Sequence, residues 1–147
     1  GSDQFRFSGS ETAVDVITGF TDGTDFLAFQ DGGAATFAST TGTAAGAVMN
    51  ALDVDGVAVT GDGFTINASV GIASEGMTST EILALDTNAL ATTSFLVVFN
   101  ETTSKGEIWY DADWNAADGE VQIATLNDIT TVGEITGLTA ADIYAFI

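Results

Sequence analysis

The chain has 147 residues, 46% of them apolar, and carries 21 acidic side chains against two basic ones, Arg6 and Lys105, for a net charge of −19. That is one domain's worth of chain with enough apolar content to bury a core, whereas the charge excludes nucleic acid and anionic membrane surfaces, both of which are bound through Lys and Arg. Cys and His are absent, which removes disulfides, thiol chemistry, a Ser–His triad and ordinary zinc sites, and leaves the hard oxygen ligands that suit Ca²⁺.

The alternation in Gln4-Phe5-Arg6-Phe7 predicts a strand. Val14-Asp15-Val16-Ile17 predicts another, and Phe26-Leu27-Ala28-Phe29 a third after a Thr-Asp-Gly-Thr turn. Residues 32–53 are rich in Gly, Ala and Thr, and their second half, Thr43 to Leu52, reads as a short Ala-rich helix. Asp55-Gly56 and Asp62-Gly63 are hairpin-turn signals flanking VAVT and FTINASV. Thr78-Ser-Thr-Glu81 matches a capping box and predicts a helix over residues 79–90. Ser94 to Phe99 is a β-branched and aromatic strand, residues 100–105 turn, Gly106 to Tyr110 is the next strand, and Glu120 to Leu126 returns after an acidic loop. Leu138 to Ile147 closes the sequence on apolar residues. The longest apolar runs, such as Phe95 to Phe99, are too short to cross a bilayer. Nothing at the N-terminus resembles a Sec-type signal peptide, and no internal repeat stands out. The sum is a single mainly β domain, a β-sandwich or β-roll-like module with one or two short helices.

Two acidic clusters carry whatever chemistry the chain has. In the first, Asp15 opens a strand, Asp22 and Asp25 bracket a Gly turn, and Asp31 follows the next strand. A strand–turn–strand hairpin would bring Asp15 close to Asp25. Ca²⁺ takes six to eight oxygens, so two or three carboxylates with turn carbonyls and water suffice; the competing reading is plain turn chemistry, since Asp before Gly is common in β proteins. The second cluster is YDADWNAADG, residues 110–119, with Asp111, Asp113, Asn115 and Asp118. Its first three oxygen positions repeat those of an EF-hand loop, but Ala116 stands where the loop needs Gly and Gln122 where it needs Glu, so it is no EF-hand. Alternation puts residues 111, 113 and 115 on one side of an extended loop, which makes either an oxygen cage or a solvated acidic tip.

Trp109, Tyr110 and Trp114 suggest a sugar-stacking platform or core packing. Trp109 and Tyr110 point to opposite faces of one strand, so only one of them fits a platform. Paired carboxylates also allow a glycosidase acid and base, but the chain has little basic or amide chemistry to orient a substrate. The expectation is a non-catalytic protein.

GSDQFRFSGSETAVDVITGFTDGTDFLAFQ resembles the segment that ends the glycine-rich nonapeptide array of RTX proteins, where GADxFxF leads into D-x-I-x-D-F, a Gly turn and D-x-I-x-L. GEIWYDADWNAADGEVQIATLNDITTVGEITGLTAADIYAFI resembles the C-terminus of many such proteins, which read Y-D-A-D-G, a VQIATL-like strand and L-T-A-x-D-F. Asp15 and Asp25 match aspartates of the first motif; Gly19, Ala28 and Trp114 depart from the two motifs, and the GGxGxDxUx repeats themselves are missing. The resemblance implies a C-terminal module of a larger secreted protein, with residues 1–30 ending a repeat array and residues 94–147 carrying the uncleaved signal read by type I secretion machinery. It also implies folding outside the cell on Ca²⁺. The alternative is an S-layer or adhesin module that self-assembles or binds cell-surface components; a carbohydrate-binding or hydrolytic domain comes third.

Overall fold

The computed structural model describes residues 1–8, 11–30, 51–52, 70–84, 94–112, 119–138 and 142–146. The predicted turns at Asp55-Gly56 and Asp62-Gly63, the end of the predicted helix at residues 85–90 and most of the acidic loop lie outside the described residues. The fold is mainly β with two short helices among those residues.

Two sheets build it. In the first, β1 (Gln4–Phe7), β3 (Phe26–Gln30) and β9 (Ile143–Phe146) run parallel in the order β1-β3-β9. The second has the order β2-β8-β7-β6-β5-β4, from β2 (Asp15–Ile17), β8 (Val121–Leu126), β7 (Lys105–Asp111), β6 (Ser94–Asn100), β5 (Val70–Met77) and β4 (Ala51–Leu52). Its β6–β7 and β7–β8 pairings are antiparallel; β2–β8, β5–β6 and β4–β5 are parallel.

The three N-terminal strands were expected, but their pairing was not. β2 and β3 do not form a hairpin: β2 crosses to the second sheet and pairs with β8, while β3 returns to the first sheet beside β1, with Gln4 opposite Phe26. The chain thus makes one coil, sheet to sheet and back. The reason lies in the connection. Phe20 is 7% exposed and stacks 6.1 Å from Phe5, so the link between the strands has an apolar anchor that a hairpin tip would leave in water. Gly19 (φ 83°) and Gly23 (φ 71°) supply the left-handed backbone that turns this corner.

One apolar cluster lies between the sheets. Phe7, Leu27, Phe29 and Ile143 meet Phe95, Val97, Ile108, Ile123 and Leu126 across it, and Phe29 stacks on Phe95 at 4.8 Å. β6 alternates: Phe95, Val97 and Phe99 face this cluster, while Leu96 and Val98 face a second one with Met77, Ile82 and Trp109. Burial on both faces explains its unbroken apolar run. Trp109 and Tyr110 do point opposite ways, Trp109 into the second cluster at 7% exposure and Tyr110 onto the first. Trp109 is therefore core, not platform.

Helix α1 (Ser79–Ile82) begins at the expected capping box: the Glu81 N–H donates to the Thr78 hydroxyl, and the Glu81 carboxylate accepts from the Thr78 N–H. It buries Ile82 in the second cluster. A turn follows at Leu83 and Ala84, where the sequence predicted continued helix. Of the other predicted helix, Thr43 to Leu52, residues 43–50 lie outside the described residues, and its last two, Ala51 and Leu52, are strand, paired with Ile72 and Ala73. Parallel pairing with a buried neighbour overrides Ala propensity there. Helix α2 (Val132–Thr136) has the same Thr-x-x-Glu signature and was missed; Glu134 accepts from the N–H groups of Thr130 and Thr131. Ile135 and Leu138 fix it to the inter-sheet core.

Candidate functional site

The corner between β2 and β3 is held by carboxylates. Asp25 is 3% exposed; one of its oxygens accepts the Asp3 N–H at 2.9 Å and the other the Thr21 N–H at 2.9 Å. It therefore closes its own turn and fastens the start of β1 to it. Asp142, at the head of β9 and 2% exposed, accepts the Gly23 N–H at 3.1 Å, and its backbone carbonyl accepts from Leu27. Asp128 accepts the Gly19 N–H. These are charge-assisted bonds from three separate elements, so the corner is positioned by acids rather than merely decorated with them.

Asp22 differs. It is exposed, but its carboxyl meets that of Asp142, and its acidity is weakened first by partial burial and second by the Asp142 charge; the Gly23 N–H pulls the other way. A β-carbon added at Gly137 would lie 3.5 Å from an Asp22 oxygen, which places this acid over the end of α2. Asp15 stands elsewhere. It is exposed on β2 opposite Ala124, in the second sheet, so the expected approach to Asp25 through a hairpin does not occur. Asp31 lies outside the described residues.

Of the second cluster, Asp111 is described and Asp113, Asn115 and Asp118 lie outside the described residues. Asp111 ends β7, 4% exposed, opposite Ser94. The chain returns to it at Gly119 (φ 139°), where a β-carbon would fall 3.0 Å from an Asp111 oxygen. Gly is required on both counts: backbone conformation and close approach. The loop thus folds its far end back onto the Asp111 carboxylate. Among the described residues, no three acidic side chains converge as metal ligands would.

Sequence reasoning missed a deeply buried carboxylate with three side-chain donors. Glu107, 1% exposed, accepts from the Asn100 amide at 2.8 Å, the Thr103 hydroxyl at 2.8 Å and the Trp109 indole at 2.9 Å. Asn100 continues the network to Ser79 at the start of α1 and to the Thr102 N–H. The signal available was alternation: Glu107 and Trp109 share a face of β7, so a buried Trp implies a buried Glu in need of donors. Asp142 was visible only as part of the LTAAD stretch, and Asp128 had no motif to mark it. Among the described residues, no helix is long and apolar enough to cross a membrane.

No protein-family description matches the chain, and no curated protein or solved structure matches it either.

Proposed function

We propose that this chain is the non-catalytic C-terminal module of a secreted RTX-like bacterial protein: it caps a repeat array, carries the signal for type I export and binds Ca²⁺ outside the cell. The observation that supports the reading most is the coil β1–β2–β3. It alternates between two sheets, stacks on itself in parallel, and has β1 and β2 as the outer strands of their sheets among the described residues. A further coil of the same geometry adds its strands to β1 and β2 in parallel register, and the terminal unit of a stacked array must seal the core at one end. The role of β9, paired to the coil by β3, supports the same reading: the C-terminal stretch is built into the cap, and export signal and cap share one folded unit.

Calcium enters through the acids that the fold leaves facing others. Asp22 against Asp142 is a pair of like charges that a divalent cation relieves, and the buried Asp111 carboxylate at the end of β7 offers a further hard oxygen ligand. In the cytosol, where free Ca²⁺ is scarce, a net charge of −19 opposes compaction; outside, bound cations offset it.

Export tests the reading. Produced in a bacterial host with a type I exporter of the RTX class, the chain is expected in the medium, and a variant lacking residues 138–147 is expected to remain inside. Retention of the intact chain by every such exporter tried, with the protein soluble and folded in the cytosol, contradicts it.

A further inference from the structure

We draw no further inference here: the strongest candidate, the Asp22–Asp142 carboxyl pair at the corner between β2 and β3, has no second observation that points to a ligand beyond the reading already proposed.

Discussion

Glu107 and Asp142 are equally deep, 1% and 2% exposed, yet their surroundings are opposite in kind. Glu107 sits in the second sheet among neutral donors, an amide, a hydroxyl and an indole. Asp142 sits at the corner of the N-terminal coil, where it takes the Gly23 N–H but also faces the Asp22 carboxyl. Donors supplied by the protein stabilise a buried carboxylate whatever the solution holds. A like-charged neighbour does the reverse, and asks for a proton or a cation. The β6–β7 hairpin is therefore self-sufficient, while the coil corner is where a change of pH meets a pair of like charges.

The largest effect expected from breaking this contrast is at Glu107. Glu107→Ala strands two buried donors, the Asn100 amide and the Trp109 indole, and we expect a loss of about 3 kcal/mol from the unsatisfied groups and the space left behind, read from the urea midpoint of Trp fluorescence. Glu107→Gln, which keeps the shape, should lose less than half as much. If the two lose equally, the donors require the full carboxylate and its shape alone contributes little.

Glycines sharpen the same contrast. A β-carbon at Gly106, in the hairpin, would fall 2.8 Å from the Ile129 side chain, whereas at Gly19, in the corner, nothing lies within 4 Å. Gly106→Ala should cost about 2 kcal/mol through overpacking. Gly19→Ala should cost about 1 kcal/mol, from its left-handed backbone alone. At the edge of the second cluster, Thr78→Ala removes the α1 cap and should cost about 1 kcal/mol in the same urea series.

The smallest effect is the one whose sign is most informative. Asp22 titrates above its usual 3.8 in the folded chain, so its contribution to stability is complete below the unfolded value and is lost as pH rises through the raised folded one. Glu81 and Glu134 titrate below their usual 4.5, held first by the backbone N–H groups of Thr78 and Thr130. Their contributions are present above the unfolded value and lost as pH falls through the lowered one. Melting temperatures measured from about pH 3 to pH 7 should therefore show Asp22→Asn gaining on the parent as pH rises, and Glu81→Gln falling behind it. Parallel curves for Asp22→Asn and the parent would remove the carboxyl pair from the account.

Much of the second sheet was legible because its signals are local. β-Branched and aromatic content marked β6, the stretches on either side of the acidic loop marked β7 and β8, and a Thr-x-x-Glu cap marked α1 at the right residue. The coil was only half legible. Its strands were evident, but the partner of β2 is β8, more than a hundred residues on, and nothing in a short window distinguishes a hairpin from a crossing between sheets. Phe20 was the available clue, an aromatic in a turn of small and polar residues. The partners of the N-terminal acids were hidden for a related reason. Spacing grouped Asp15, Asp22 and Asp25 because they are near in sequence, while the carboxyl that Asp22 meets comes from Asp142 and the Gly19 N–H is held by Asp128. A carboxylate's partners depend on topology, and topology is the part that local pattern does not encode.

The central claim is that the acids of this module are completed by Ca²⁺, and the most direct test is the melting of protein stripped with EDTA, alone, with about 5 mM Ca²⁺ and with matched Mg²⁺, a range set by extracellular modules that bind at roughly 10⁻⁴ to 10⁻³ M. At ten times its Kd, one site adds about 1.4 kcal/mol, and for a chain of this length that raises the midpoint by about 4 °C. The account predicts such a rise with Ca²⁺, little with Mg²⁺, and a smaller Ca²⁺ response in Asp22→Asn or Asp111→Asn. Coincident melting in all three solutions would contradict it and leave the acids as hydrogen-bond acceptors and solvated surface.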